Sequence, residues 1–188
     1  MKFYDLDLVP GRECGSCTAC CTAMAIDQPD IQKEAGVTCR HCTGVACAIY
    51  DVRPSLCRDF HCGWRQLPIL DENWRPDLSG VFVEIEAIAE ETAISLVLIA
   101  NPLKTLRQSW FLDFVMTGVA SDVPLHLGMP GPKGFQGASV PLNTQQMFEA
   151  AHISRARVKE ILEKELKRLT SFRFEPRRFK NTGHDVGG

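Results

Sequence analysis

The stretch VFVEIEAIAEETAISLVLIA, residues Val81–Ala100, decides the fold class. In its first half, aliphatic side chains alternate with Phe82 and with glutamates, which is the two-residue period of a strand with one partly wet face. Two β-rich runs, Val81–Ala89 and Thr92–Ala100, flank a polar connection at Glu90-Glu91. We therefore predict an antiparallel hairpin here.

The residues after the hairpin predict one amphipathic helix and two further strands. Asn101-Pro102 supplies an N-cap and a first-turn proline, and large apolar residues then recur at intervals of three and four as far as Gly118. The short apolar runs Val123–Leu127 and Ser139–Leu142 predict strands that complete a small sheet of about four strands.

The C-terminal part predicts a helix that restarts once. Thr144–Leu169 has a helical pattern, and Ser154 is placed to cap its second segment. The apolar residues of that segment form one stripe, which favours a surface helix docked on the sheet. The predicted class is α+β, in which an N-terminal cysteine-rich region packs on a small antiparallel sheet with an amphipathic helix and a C-terminal helix.

The N-terminal third predicts little regular structure. Lys2–Leu8 favours an edge strand that is closed by the Pro10-Gly11 turn signal. Pro29–Ala35 favours a short helix. That helix would separate two groups of cysteines.

All nine cysteines of the 188-residue chain fall in its first third. They are Cys14, Cys17, Cys20, Cys21, Cys39, Cys42, Cys47, Cys57 and Cys62. Several are separated by two residues, a spacing that can turn two sulfurs toward one ion, as in zinc ribbons and iron–sulfur proteins. We therefore predict that all nine thiols belong to a metal-binding region.

The spacing of the cysteines does not distinguish zinc from iron. Two tetrahedral zinc ions would use eight of the nine thiols, whereas one cubane iron–sulfur cluster would use four. Cys20 and Cys21 are adjacent, and since neighbouring side chains generally diverge, they could serve different ions or one of them could be free. The predicted cofactor is zinc or iron, as two zinc ions or one iron–sulfur cluster.

Other side chains near the cysteines are candidates for supporting roles. His41 and His61 each neighbour a cysteine, so each is a candidate ligand or outer hydrogen-bond donor. Arg53 or Arg58 could donate to thiolate sulfur or to carbonyl groups and so offset the negative charge of the thiolates. We interpret the nearby aromatic side chains, Tyr50, Phe60 and Trp64, as packing around a dry site.

The cysteine pattern resembles a known family. Cys14-x2-Cys17-x2-Cys20-Cys21, followed by Cys39-x-His41 and by the segment Cys47–Trp64, is similar to the CxxCxxCC cysteine-cluster family, also called the YkgJ family of zinc- or iron-chelating domains. The resemblance implies metal chelation in a bacterial cytosolic protein. It carries over to seven cysteines, namely Cys14, Cys17, Cys20, Cys21, Cys39, Cys47 and Cys57. Cys42 and Cys62 join the predicted site mainly on their spacing.

Three functions are compatible with this pattern. The first is a metal-binding protein that chelates zinc or iron through its clustered cysteines, in a structural or metal-handling role. The alternative is a metal- or iron–sulfur-dependent enzyme related to flagellin lysine methylases, which resemble the family in their cysteine motif. We favour the first, because the sequence has no recognisable S-adenosylmethionine site, Walker loop or Ser-His-Asp signature. The third is an interaction module whose basic C-terminal helix binds a protein partner.

The charge and hydropathy of the sequence limit the kinds of partner and the cellular location that we expect. A formal net charge of -2 gives no electrostatic case for nucleic-acid binding. The acidic residues in Met1–Asp7 interrupt any signal-like run, and Ile94–Ala100 is too short to span a bilayer, so we expect a cytoplasmic protein without a membrane partner. Ten basic residues stand against four acidic ones in Arg155–Lys180, which is the candidate surface for a protein partner.

We predict two regions within one integrated domain. Residues 1–70 are the cysteine-cluster metal-binding region. Residues 71–188 are the α+β region that ends in the C-terminal helix.

Overall fold

The fold is described from a computed structural model in which residues 6–29, 31–88, 91–132, 135 and 137–172 can be placed. Most of the predicted edge strand Lys2–Leu8 lies outside these residues, and Leu6, Asp7 and Leu8 form no strand. The last residues of the basic C-terminal segment also lie outside them.

The described residues form eight α-helices and six strands. The helices are α1 (Ala19–Ala23), α2 (Ser55–Asp59), α3 (Gly63–Gln66), α4 (Pro76–Ser79), α5 (Pro102–Thr105), α6 (Ser109–Ala120), α7 (Gln145–Ile153) and α8 (Arg155–Thr170). The strands are β1 (Ile26–Gln28), β2 (Ile31–Lys33), β3 (Val81–Ile88), β4 (Glu91–Leu98), β5 (Leu125–Met129) and β6 (Ala138–Pro141). Short 3-10 turns occur at Tyr50–Val52 and Glu72–Trp74.

The larger sheet has four strands in the order β3-β4-β5-β6, which confirms the α+β class. The expectation of a purely antiparallel sheet is wrong, since β4 and β5 run parallel while the outer pairs are antiparallel. Helices α5 and α6 lie between β4 and β5 in the chain. They return the chain to the end where β4 began, and a parallel pair needs such a crossover connection.

The predicted hairpin is confirmed as β3 and β4, which pair from Val81↔Leu98 to Ile88↔Glu91. Val81 and Val83 are fully buried and face the helices, together with Leu96 and Leu98 of β4. Phe82 points to the opposite face, where its ring stacks on the ring of Phe60 with centroids 5.9 Å apart. Both faces of this hairpin are therefore at least partly covered.

The predicted helix after Asn101 is divided into α5 and α6. Leu106 is fully buried, and Gln108 has an extended backbone that separates the two helices. The prediction for the C-terminal part is confirmed: Thr144 and Ser154 cap α7 and α8, with their side chains accepting from the backbone N–H groups of Met147 and Arg157.

The predicted helix over Pro29–Ala35 is wrong, because Ile31–Lys33 within it form strand β2 of the antiparallel sheet β1-β2. Ile31 and Lys33 are both buried while Gln32 between them is exposed. This two-residue period is that of a strand. The connection between the strands includes Pro29, whose fixed φ suits a turn.

The main core lies between the four-stranded sheet and the helices. Residues that follow the last cysteine also belong to it, since Trp64 and Leu70 are buried in the same cluster as the sheet side chains. Trp74 packs there as well, with its ring 4.6 Å from Trp110 and 5.9 Å from Phe111. Aromatic contacts of this kind bury large apolar areas. The cysteine-rich region is thus tied to the sheet through its last helix, α3.

Candidate metal centre

Most of the cysteines surround one cavity in the N-terminal third. The cavity has a volume of about 270 Å³, and seven of the nine cysteines line it. These seven are Cys14, Cys17, Cys20, Cys21, Cys39, Cys47 and Cys57. They come from α1 and the turn before it, from the loop after β2 and from α2. Cys42 and Cys62 lie outside its wall.

The loop between Cys39 and Cys47 directs backbone N–H groups at sulfur. The N–H of His41 donates to Cys39 Sγ at 3.5 Å, and the N–H of Gly44 donates to Cys42 Sγ at 3.4 Å. Cys42 and Cys47 form an isolated antiparallel bridge that holds the loop closed. Hydrogen bonds from amides to sulfur stabilise the thiolate form, which is the form that binds metal.

Cys20 and Cys21 lie on α1 and connect this helix to the loop. The Cys21 thiol is hydrogen-bonded to the thiols of Cys20 and Cys42, and the bond to Cys20 raises the pKa of Cys21 far above its usual range. The N–H of Cys39 donates to the carbonyl of Cys21 at 2.8 Å. This backbone hydrogen bond holds the loop that begins at Cys39 against the helix that carries Cys20 and Cys21.

Cys57 on α2 approaches the same group of sulfurs. Burial raises the pKa of the Cys57 thiol, and the nearby charges of Cys39, Cys21 and Cys47 raise it further. Both effects favour the neutral thiol form of Cys57.

Cys14, Cys17 and Cys62 form a second group. Burial raises the pKa of Cys62 to about 11, and the charges of Cys14 and Cys17 add to this effect. Arg65 Nη1 donates to Cys14 Sγ at 3.4 Å. Burial also raises the pKa of Cys17, which lies beside the carboxylate of Asp77. Cys14 and Cys17 line the cavity together with the other five cysteines of its wall, whereas Cys62 does not.

The thiols surround a cavity without forming a finished coordination sphere. Within the part of the chain that the structure describes, no three Cys, His, Asp or Glu side chains are placed to hold one metal ion. All nine cysteines are partly exposed and none forms a disulfide. Ligation would therefore require several sulfurs to turn inward.

The histidines and arginines that we predicted to support the metal site differ in what their side chains contact. His41 and His61 both line the cavity. Burial and the charges of Arg65 and Arg53 lower the pKa of His61, which favours the neutral imidazole that a metal ligand must have. Arg53 lines the cavity too, but its guanidinium stacks on the ring of Tyr50, 3.7 Å from the centroid. Among the described residues, the guanidinium that donates to a cysteine sulfur is that of Arg65, which the sequence does not predict.

The aromatic side chains near the cysteines pack as expected in two of three cases. Phe60 stacks on the sheet residue Phe82, and Trp64 is buried with its indole N–H donating to the carbonyl of Asp71. Tyr50 is the exception, since about half of it (52%) is exposed at the rim of the cavity.

Sequence reasoning also missed Lys33. The residue is only 7% exposed, and its Nζ donates to the carbonyls of Thr22 and Met24 at the end of α1 and to the carbonyl of Glu34 after β2. The signal was present in the alternation Ile31-Gln32-Lys33, which places Lys33 on the buried side of a strand. The incorrect helix prediction for this segment hid that signal.

The basic C-terminal helix is partly neutralised within the fold. Arg155 forms a bidentate ion pair with Asp113 of α6, at 2.5 and 2.7 Å. Arg157 pairs with Glu160 and Arg168 with Glu165 along α8 itself. These arginines therefore carry less free positive charge than the sequence count implies.

Comparisons of the chain with protein-family models, with curated proteins and with solved structures found no match. Among the described residues, no helix is long and apolar enough to cross a membrane.

Proposed function

We propose that this protein is a metal-binding protein that chelates zinc or iron through its clustered cysteines. The observation that carries the proposal is the convergence of seven thiols on one cavity, although they are spread over the sequence from Cys14 to Cys57. Thiolates are strong ligands for zinc and for iron–sulfur clusters. The centre would have a structural or metal-handling role.

The surroundings of the cavity fit an anionic metal–thiolate centre. Amide N–H groups point at Cys39 and Cys42, and Arg65 donates to Cys14. Such donors offset the charge that several thiolates leave around a divalent ion, and they tune the site once it is loaded. A cluster of merely buried thiols would not need these donors.

The resemblance to the CxxCxxCC family supports the same proposal. The seven cysteines onto which the family pattern maps are the seven that line the cavity, whereas Cys42 and Cys62 lie outside it. We therefore propose that the chain is a member of this family, on the strength of its motif. A methylase-like activity stays a prediction, and S-adenosylmethionine binding would test it.

The first test is the metal content of the full chain purified without oxygen. We expect zinc at one or two ions per chain in a colourless protein, or iron with inorganic sulfide in a brown protein that absorbs near about 400 nm. Elemental analysis and an absorption spectrum distinguish these two outcomes. Protein that holds neither metal, even after anaerobic reconstitution with each, would contradict the proposed function.

Cysteine variants serve as matched controls for the ligand set. Cys39→Ser and Cys57→Ser each remove a thiol that lines the cavity, so we expect either change to lower the metal content. Cys62→Ser removes a thiol outside the cavity wall and should leave most of the metal bound. An equal loss in all three variants would assign the metal to a different set of thiols.

A further inference from the structure

Cys42 and Cys47 lie directly opposite each other across a short antiparallel bridge. The two hydrogen bonds of this bridge join the flanking residues, from the N–H of Thr43 to the carbonyl of Ala46 at 2.9 Å and from the N–H of Ala48 to the carbonyl of His41 at 2.8 Å. The two cysteines themselves are therefore a non-hydrogen-bonded pair. This is the closer of the two kinds of pair in an antiparallel ladder.

This register brings the two side chains within reach of a disulfide. The Cα atoms of a non-hydrogen-bonded pair are about 4.5 Å apart, and residues that lie directly opposite each other project from the same face of the ladder. Disulfides join cysteines whose Cα atoms are roughly 4.4–6.8 Å apart. The backbone at Cys42 and Cys47 therefore already meets the distance requirement for a cross-strand disulfide.

The turn between the two cysteines keeps them at this separation. Gly44 has a φ of 91° and is the first of the two central residues, a position where a tight hairpin turn requires a positive φ. The hydroxyl of Thr43 also donates to the carbonyl of Ala46, at 3.1 Å. Both cysteines are partly exposed and neither forms a disulfide, so a small oxidant can reach both sulfurs.

We infer that Cys42 and Cys47 are a redox-sensitive dithiol pair, which hydrogen peroxide converts into a disulfide that removes Cys47 from the thiols available to a metal ion. Cys47 lines the cavity and Cys42 does not, so the disulfide joins a candidate ligand to a thiol outside the cavity wall. A disulfide sulfur is no longer a thiolate, which is the form that binds metal. The link to metal binding rests on the proposed function and adds regulation to the same site, whereas formation of the disulfide does not depend on metal.

The reaction consumes one molecule of hydrogen peroxide for each disulfide. The Cys42 sulfur, which accepts the N–H of Gly44 at 3.4 Å, attacks one peroxide oxygen as the thiolate. The O–O bond breaks, one water leaves and Cys42 becomes a sulfenic acid. The Cys47 sulfur then attacks the Cys42 sulfur, the S–O bond breaks and a second water leaves. The two thiols lose two electrons and two protons, and the peroxide takes up both.

The first test maps disulfides in the metal-free full chain and in the variants Cys42→Ser, Cys47→Ser and Cys62→Ser. Each protein is reduced, treated with equimolar hydrogen peroxide and alkylated, and tandem mass spectrometry locates the disulfides. We expect the Cys42–Cys47 disulfide as the main product in the parent and in Cys62→Ser, and its complete loss in the other two variants. A main product that joins any other two cysteines of the parent, such as Cys39 and Cys42, would overturn the inference.

The second test follows the release of Zn²⁺ from Zn²⁺-loaded protein, with a chromogenic chelator, during the same peroxide treatment. In the parent we expect Zn²⁺ to be lost in proportion to the disulfide and to be bound again after the disulfide is reduced. Cys42→Ser keeps all seven cysteines of the cavity wall but has no partner for Cys47. Relative to its own starting Zn²⁺ content, this variant should release Zn²⁺ several-fold more slowly than the parent.

The outcomes of the second test separate the inference from the proposed function. Full retention of Zn²⁺ in a parent that contains the disulfide would overturn the link between the disulfide and metal binding. Equal rates of release from the parent and from Cys42→Ser would overturn it as well. A parent that binds neither zinc nor iron would instead remove the proposed function, and the disulfide map would still decide whether Cys42 and Cys47 pair.

Discussion

Glu84 is a carboxylate in an unfavourable place. Glu84 lies on the same face of the sheet as Phe82, where burial and the nearby charge of Glu86 raise the pKa of Glu84 to about 7. The neighbouring Ser95 hydroxyl donates to Glu86 and so does not compensate Glu84. Both glutamates line a cleft of about 360 Å³ between the sheet and the cysteine-rich region. Met24 lines this cleft and also the cavity that the cysteines surround.

The raised pKa of Glu84 makes stability depend on pH. The folded state keeps a proton that the unfolded chain, with a pKa of 4.5 for this group, has already lost, so stability falls as the pH rises from about 4.5 to about 7. Glu84→Gln removes this penalty. We expect the variant to gain up to about 3 kcal/mol relative to the parent near pH 8 and almost nothing near pH 4.

Urea unfolding at both pH values measures the effect of Glu84→Gln. Glu149→Gln, at an exposed position of α7, is the control for the chemical change and should alter stability little at either pH. A gain from Glu84→Gln that is the same at both pH values would contradict the titration of Glu84 as its cause.

At the scale of elements, α3 packs directly on β3 through a glycine. A Cβ added at Gly63 would lie 2.5 Å from Val83 Cγ1 and 3.3 Å from the Val83 carbonyl oxygen. Both residues are buried, so neither can move into solvent. This close approach connects the cysteine-rich region to the edge strand of the sheet.

Gly63→Ala should therefore destabilise the protein by about 1–3 kcal/mol through overpacking. Chemical denaturation measures the loss. A double variant that combines Gly63→Ala with Val83→Ala, which removes Cγ1, tests whether the contact with Val83 causes the destabilisation. We expect the double variant to lose less than the sum of the two single changes, because the new methyl group fills the space that Val83 vacates. Additive losses would show that the contact with Val83 is not the reason.

The elements that the sequence predicted well have strong local signals. The β3-β4 hairpin has clear alternation, and Ser154 precedes a helical pattern as its cap. The segment Ile31–Lys33 was misread because three residues are too few to establish a period, and Lys33 is a residue type that is rarely buried. Its burial depends on carbonyl groups of α1, a contact that no local pattern encodes.

At the scale of the whole molecule, the sheet and the thiol cavity have different sources of stability. The core of the sheet is built from apolar side chains such as Leu96 and Leu127, which are fully buried. The walls of the cavity are partly exposed, and their cysteines form no disulfides. The two parts meet in the cluster around Trp64 and Leu70 and, on the opposite face of the sheet, where Phe60 stacks on Phe82.

Removal of the metal should therefore increase local unfolding in the cysteine-rich region and leave the four-stranded sheet folded. In metal-free protein we expect the amides of Cys39–Cys47 to exchange rapidly with deuterium, while those of β4 and β5 stay protected. Loading with the metal found in the purified protein should slow exchange in the loop. Equal loss of protection in the sheet would show that the metal centre and the sheet unfold as one unit.

The sequence alone determined the α+β class, the hairpin, the capped C-terminal helices and the confinement of all cysteines to one region. These follow from local periodicity, capping residues and composition, which act over a few residues. Tertiary structure decided that β5 runs parallel to β4 and that seven cysteines, spread from Cys14 to Cys57, surround one cavity. The physical reason is that sulfurs and charges far apart in the chain interact only after the helices and loops have brought them together, and spacing along the chain does not specify that distance.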